Sequence, residues 1–340
     1  MDLQKKFELI IRNTEEVITK EELKKLLQEK KKPAVYLGTA ITGRPHIGYF
    51  VWVLKLSDFL KAGLKVKLLL ADIHGALDGT PWETLEKRYE YYKAVIPLMF
   101  ECIGADIEDF EIVKGSSFQM KQDYFVDILK MSTAVTINDC KRAASEVVKF
   151  GDNPKLSGLI YPIMQALDEE HLGVDIQYGG LDQRKILMFA RDNLHHVGYK
   201  PRIEVMTPLI PGLVGKKMSA SDPKTKIDLL DDEETITKKI KGAECAEGII
   251  EENGVLAFTK HVIMTIKGDR GESFIVERPD KYGGTVKYTK YEDIERDFAQ
   301  RKLHPLDLKT ALAKEINALL KPMRERQEQL GRLAAKAYSE

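Results

Sequence analysis

The chain has 340 residues, with 53 Lys+Arg against 53 Asp+Glu, 43% hydrophobic residues and 31% charged ones. That size and composition fit a folded protein of about two domains and exclude a disordered or fibrous chain. The zero formal net charge removes any bulk-charge argument for a nucleic-acid coat protein or a membrane-surface binder, while a localised basic face stays open. Cys102, Cys140 and Cys245 form no C-x-x-C pair. A disulfide scaffold is therefore excluded, a metal site of thiolates is not expected, and a reducing, cytoplasmic compartment is. The densely charged N-terminus has no apolar h-region, and no stretch approaches about 18 uninterrupted apolar residues. Neither a signal peptide nor a membrane partner is expected.

Phe7, Ile10 and Ile11, then Leu23, Leu26 and Leu27, stand at helical spacing and predict two short amphipathic helices. Thr19 and Glu22 form a capping box for the second. Val35–Thr39 predicts a strand, followed by a Gly-containing turn and a helix from Pro45 to about Ala62 with Gly63 as its stop. Val66–Ala71 is a second strand. Thr80-Pro81-Trp82-Glu83 reads as a capping box with Pro at the first helical position, opening a long helix toward Cys102. Glu111–Val113 and Ile203–Leu209 are the third and fourth strand candidates. Strands alternating with helices point to an α/β protein of parallel βαβ units. From about Ile227 the sequence turns charged and helix-favouring. This sets a boundary near Asp228–Asp231 and two domains, 1–228 and 229–340. Residues 301–340 carry nine Lys/Arg and five acids, which on composition alone is a solvated helix face.

Three constellations carry chemistry. In Thr42-Gly43-Arg44-Pro45-His46-Ile47-Gly48-Tyr49, a strand, a turn and a helix start aim backbone N–H groups at the mouth of a parallel sheet, a geometry that binds phosphate. His46 supplies a hydrogen-bond donor, and Gly48 leaves room for a flat ligand. In Lys216-Lys217-Met218-Ser219-Ala220-Ser221-Asp222-Pro223, lysine suits the charge that develops as pyrophosphate leaves a triphosphate. In LSGLIYPIMQALDEEHLGVD, Tyr161, Gln165 and Asp168 stand at i, i+4 and i+7, so they share one face of an otherwise apolar helix. Tyr178-Gly179-Gly180-Leu181-Asp182-Gln183 follows, with two glycines for close backbone approach and polar groups opening the next helix. Each has a plainer reading: a βα turn with a surface histidine, a polar loop, an exposed helix stripe, a helix cap.

Together and in this order, the first two constellations resemble the HIGH and KMSKS signatures of class I aminoacyl-tRNA synthetases. Tyr49 departs from the first, and Ala220 stands where the second has another lysine, as it commonly does in the tyrosyl branch of eukaryotes and archaea. Together with LLADIHGALD and KLHPLDLK, these segments resemble that branch from about residue 5 to residue 330. Gly75-Ala76 departs from the Ala-Tyr that relatives often carry. The resemblance implies a Rossmann-like catalytic domain with a dimer-forming insertion at about 118–159. It also implies a C-terminal helical anticodon-binding domain, with no appended domain beyond it.

By the same resemblance, Tyr36 and Asp168 hold the tyrosine hydroxyl, and Tyr161, Gln165 and Gln183 hold its α-amino group. Gly48, Asp182, Lys217 and Ser219 bind ATP, and Asp182 takes the ribose. His46 and Lys217 act on the phosphates, and Mg²⁺ rides on the pyrophosphate with no metal-binding residue of the protein assigned to it. Tyr282 stacks on an anticodon base of tRNA(Tyr) and Asp307 accepts from its edge. The implied partners are tyrosine, ATP, tRNA(Tyr) and a second copy of the chain. The alternatives at this level are a tryptophanyl-tRNA synthetase, a non-catalytic RNA-binding protein on a synthetase scaffold, and another nucleotidyl transferase. Asp168 and Tyr36 suit a phenol better than an indole.

Overall fold

A computed structural model describes residues 1–213 and 226–338. The first helix, α1 (Leu3–Ile11), is capped by Asp2, whose side chain accepts from the Lys5 N–H at 2.8 Å. A three-residue strand, β1 (Glu16–Ile18), precedes α2 (Lys20–Glu29), and Thr19 and Glu22 form the expected capping box. Then come β2 (Ala34–Thr39), a 3-10 turn at Ile47–Tyr49, α3 (Phe50–Lys61) and β3 (Lys65–Leu70). Pro45 therefore lies before the helical segment, and the histidine after it caps the turn. Gly63 stops the helix as expected, at φ +84°, a conformation that side-chain-bearing residues avoid.

Next are α4 (Asp72–Leu77), α5 (Trp82–Ile103), β4 (Phe110–Lys114), α6 (Ser116–Gln119), α7 (Gln122–Ser132), α8 (Ile137–Ala144) and α9 (Leu156–His171). The capping box expected at Thr80 does not form. The Thr80 N–H is spent on the Gly75 carbonyl at 3.0 Å, closing the end of α4, and Pro81 takes the N-cap position itself. β5 (Ile176–Gly180), α10 (Arg184–Asn193) and β6 (Ile203–Thr207) complete this part. The remainder is helical apart from a small hairpin. It holds α11 (Glu233–Lys241), α12 (Gly254–Phe258), a π-helical turn at Thr259–Met264 and α13 (Thr265–Arg270). The hairpin β7 (Phe274–Val276) and β8 (Val286–Tyr288) is followed by α14 (Tyr291–Ala299), α15 (Pro305–Leu319), α16 (Lys321–Glu325) and α17 (Gln327–Tyr338).

The sheet order is β1-β6-β5-β2-β3-β4. All neighbours are parallel except β1 with β6. Both faces are covered, which explains near-continuous apolar runs such as Val66–Leu70. On one face Tyr36, Leu69 and Met206 pack against Ile163, Met164 and Leu167 of α9. On the other, Val35, Leu68 and Val205 belong to a core that also takes in Phe50 of α3, Val95 of α5, Ile236 of α11 and Leu330 of α17. The change of texture near Asp228 is thus a change of architecture, with the apolar core running on across it.

From β2 the chain winds through β3 to β4 on one side, and β5 leads to β6 on the other. The β2/β5 seam is therefore the topological switch point, and a crevice outside the carboxyl ends of those strands is where such sheets bind ligands.

Candidate active site

A cleft of about 1250 Å³ opens at that seam. It is lined by Tyr36, His46, Gly48, Tyr161, Gln165, Asp168, Asp182 and Gln183. These are all the described residues that the sequence assigns to the amino acid, the nucleotide and the phosphates. Lys217 and Ser219 lie outside the described residues. Tyr282 and Asp307 belong to the helical part and do not line the cleft.

The closed end is built by α9 against β2. Asp168 is buried, and its Oδ1 accepts from Gln119 Nε2 and from the Tyr124 hydroxyl, both at 2.7 Å. Tyr124 also reaches the Met164 carbonyl at 2.8 Å. Burial pushes the Asp168 carboxyl up to about 7, against the two donors, which pull it down. The Tyr36 hydroxyl donates to the Gln165 carbonyl at 3.2 Å, and burial beside Asp168 raises its phenol well above the ordinary value. Gln165 Nε2 donates to Gln183 Oε1 at 3.3 Å, joining α9 to the turn after β5. His74 packs edge-on against Tyr161, with centroids 4.5 Å apart at 81°, and burial lowers its pKa to about 4. A neutral imidazole and a phenol thus form one wall.

The mouth is built by the two βα turns. At Gly180 an added Cβ would lie 2.5 Å from Asp182 Oδ1, so this carboxylate folds directly over the backbone. In the other turn His46 is the N-cap: its Nδ1 accepts from the Gly48 N–H at 3.1 Å. That bond places the ring proton on Nε2. Burial, with Lys226 nearby, lowers the His46 pKa to about 4, so the ring is a neutral donor at physiological pH. The turn is pinned from three sides. The Gly43 carbonyl accepts from the hydroxyls of Tyr92 (2.6 Å) and Tyr338 (2.8 Å), Arg44 pairs with Asp228 at 2.8 Å, and the Ile47 N–H donates to the Ile227 carbonyl at 3.1 Å.

Gln119, Tyr124, His74 and Gln177 belong to the site, and motif spacing does not find them. Gln119 and Tyr124 come from the segment between β4 and α9 and reach Asp168 only through the tertiary fold. Their one signal is being polar or amphipathic residues on helices whose other faces are apolar. Gly75 explains its own departure from the pattern, since an added Cβ would lie 2.7 Å from Leu85 Cδ2. Among the described residues no three His, Cys, Asp or Glu side chains converge to hold a metal ion.

Residues 28–321 match the family model described as tRNA synthetases class I (W and Y). The chain belongs to that family. It is 47% identical over 339 residues to the cytoplasmic tyrosine–tRNA ligase of Gallus gallus, covering 98% of this chain and 63% of that protein. It is 44% identical over 342 residues to the tyrosine–tRNA ligase of Haloarcula marismortui, covering 100% of this chain and 99% of that one. The chain thus spans less than two thirds of the vertebrate relative and nearly the whole of the archaeal one. Within the class I synthetases it falls in the tyrosyl branch of eukaryotes and archaea. Its structure matches that of the Archaeoglobus fulgidus tyrosyl-tRNA synthetase complexed with L-tyrosine, with a TM-score of 0.89 and 41% identity, covering 96% of this chain and all of that one.

Proposed function

We propose that this protein ligates tyrosine to tRNA(Tyr) in two steps: activation by ATP to tyrosyl-adenylate and pyrophosphate, then transfer to the terminal adenosine of the tRNA. The observation that carries the reading is the pairing of Asp168, with its two donors, and Tyr36 at the closed end of a cleft whose mouth is a phosphate-type turn. A phenol entering head-first can donate to the Asp168 carboxylate and accept from the Tyr36 hydroxyl if that proton turns from the Gln165 carbonyl, whereas an indole N–H can only donate. Tyr161, Gln165 and Gln183 then face the α-amino group, and Asp182 accepts from the ribose. His46, with Lys217 and Ser219 assigned from sequence, serves the phosphates. The tyrosine carboxylate attacks the α-phosphorus already charged, so no strong base is required and catalysis is positioning plus electrostatics. Magnesium belongs to the nucleotide, and no side chain is assigned to it. ATP–pyrophosphate exchange measured across the amino acids is the test. Exchange dependent on tyrosine supports the reading. Exchange dependent on tryptophan overturns it, and none with any amino acid returns the RNA-binding alternative.

The segment at 118–159, which follows β4 and runs into the first turn of α9, exposes Met120, Phe125, Val126, Leu129 and Ile137. Phe125 and Leu129, one turn apart on α7, expose large apolar side chains of the kind that mark an interface, and we assign this surface to a homodimer working in the cytoplasm. Among the described residues no helix is long and apolar enough to cross a membrane. Leu129→Glu, at a position 53% exposed, is expected to shift the protein from dimer to monomer in size-exclusion chromatography with light scattering. A variant that elutes as wild type excludes this face.

The helical part, 229–340, is assigned to the anticodon. Tyr282 is 62% exposed, and Lys281 Nζ sits 4.8 Å from its ring centroid. Asp307 stands in the first turn of α15, but the cap is His304, whose Nδ1 accepts from the Leu306 N–H at 3.1 Å. The plainer role of a cap is therefore already filled. Arg278 ties the two regions together, donating to the Gly284 carbonyl at 2.9 Å and to the Lys302 carbonyl at 2.8 Å. Stacking on one base is worth roughly 1–3 kcal/mol. Tyr282→Ala is expected to lower tRNA charging by about 5- to 150-fold and to leave pyrophosphate exchange unchanged. Charging at the wild-type rate by a stable variant removes Tyr282 from the interface.

A further inference from the structure

Behind the closed end of the cleft the sheet carries a polar row that the activation chemistry does not use. Tyr36 on β2 is in register with Gln177 on β5, and Gln177 with Glu204 on β6. Register partners project from the same face of a sheet, so the three side chains stand side by side beneath α9. That helix adds Glu169, next to Asp168. Gln177 lines the cleft, whereas Glu169 and Glu204 are both 0% exposed. Gln177 Oε1 and all four carboxyl oxygens of Glu169 and Glu204 are buried and have no hydrogen-bond partner among the described residues.

A buried amide oxygen requires a donor. The donors nearby are committed elsewhere. Tyr36 has one proton and gives it to the Gln165 carbonyl. Arg191 donates to the Arg202 carbonyl and to Glu22 of α2. Arg202 donates to the carbonyls of Val174 and Lys200 and to Glu170. A proton on a carboxyl group supplies the missing donor without breaking any of these bonds. Two carboxyls shut away from water do not both ionise. Burial raises Glu169 and Glu204 well above the usual carboxylate range, each made worse by a carboxylate neighbour (Asp168 for Glu169, Glu169 for Glu204), with Arg191 and Arg202 opposing and Glu22 adding to Glu204.

We propose that Glu204, paired with Glu169, is kept as a carboxylic acid and donates to Gln177 Oε1, which turns the Gln177 amide N–H groups into the tyrosine end of the cleft. Glu204 is thus a positioning residue: it touches no substrate and acts through Gln177. The proposal rests on the tyrosine-binding reading above. It predicts that a permanent donor replaces Glu204 and that a truncation does not.

The test is L-tyrosine binding by calorimetry at pH 7 with wild type, Glu204→Gln and Glu204→Ala, joined to infrared spectra of the ligand-free proteins. Glu204→Gln, whose amide also donates, is expected to bind tyrosine within about 3-fold of wild type, and Glu204→Ala about 10-fold more weakly. The carboxylic-acid carbonyl band is expected in wild type at pH 7 and reduced in Glu204→Gln. The folded chain holds a proton that the unfolded chain releases near 4.5. Wild-type melting temperature should therefore fall as pH rises above that value, and more steeply than that of Glu204→Gln. Two results overturn the proposal: a Gln variant that binds as weakly as the Ala variant, or a wild-type spectrum without the acid band. If Glu204→Ala does not fold, the Gln variant and the spectra still decide. If wild type binds no tyrosine, the functional reading fails, while the band and the melting profiles still report on the pair.

Discussion

His46→Ala is expected to slow formation of the aminoacyl-adenylate by roughly 10²–10³-fold while leaving the Kd for tyrosine within about 3-fold of wild type. The cause is geometric. The Gly48 N–H occupies Nδ1, so the remaining ring proton sits on Nε2, and the residue lines the cleft where the phosphates would lie. A donor aimed at charge that shifts during reaction lowers the barrier without tightening ground-state binding of the amino acid. Because burial holds the His46 pKa at about 4, the ring donates as a neutral group. Its contribution is therefore expected to be flat from about pH 6 to pH 8, where an ordinary histidine would titrate. Single-turnover rates across that window check this. A wild-type rate in His46→Ala, or a histidine-like inflection near pH 6.5 that the variant abolishes, overturns the assignment.

What the sequence made legible follows from how local each cause is. The α2 capping box, the stop at Gly63 and the strands Val35–Thr39 and Val66–Ala71 depend on neighbours within a few residues, and the structure has the cap and the stop as expected and the strands at Ala34–Thr39 and Lys65–Leu70, a residue off at one or both ends. Two strands absent from the sequence reading depend on distant partners. β1 is only three residues long and exists because β6 lies antiparallel beside it. β5 ends in Gly179-Gly180, a pair that reads as a turn, yet both residues pair with β6. The Thr80 capping box is lost to a local competitor, since the threonine N–H goes to the Gly75 carbonyl five residues back and closes α4. The site divides the same way. Tyr161, Gln165 and Asp168 share one helix face and could be grouped from spacing. The groups that make Asp168 usable, Gln119 and Tyr124, lie 49 and 44 residues away in sequence.

That separation puts two differently facing sets of side chains on one helix. Tyr124 of α7 points inward to Asp168, while Phe125 and Leu129 on the same helix are exposed. A partner subunit docking on the outer face would therefore restrain the helix that orients the pocket's acceptor. The pocket floor and the exposed apolar face are separated by the width of α7.

Asp168→Ala is expected to remove most of the discrimination between tyrosine and phenylalanine. The wild-type floor offers a buried carboxyl already held by two donors at 2.7 Å, so the substrate hydroxyl meets an acceptor fixed before it arrives. Phenylalanine gives that acceptor nothing in return. A hydrogen bond to a charged partner is worth about 1.5–3 kcal/mol, so kcat/KM for tyrosine should fall roughly 10- to 150-fold while that for phenylalanine holds or rises. Tyr124→Phe deletes one of the two donors and leaves the carboxyl in place. Its loss should be smaller, about 0.5–1.5 kcal/mol, and confined to the hydroxyl-bearing substrate. Asp168 also carries a pH signature. Its folded carboxyl is held up at about 7 against an ordinary 3.8, so the folded chain binds a proton the unfolded chain has released. The sign is then fixed: this group's contribution to stability declines as pH rises from about 4 to about 7. Asp168→Asn, which has no proton to lose, should melt with a shallower pH dependence over that interval. For tyrosine the advantage of the wild-type carboxyl over the amide of the Asp168→Asn variant should widen as pH rises through 7, because the ionised carboxyl is the stronger acceptor. Pyrophosphate exchange with both amino acids, measured from pH 6 to 8, reads all of these. Unchanged selectivity in Asp168→Ala would remove Asp168 from the recognition of the hydroxyl.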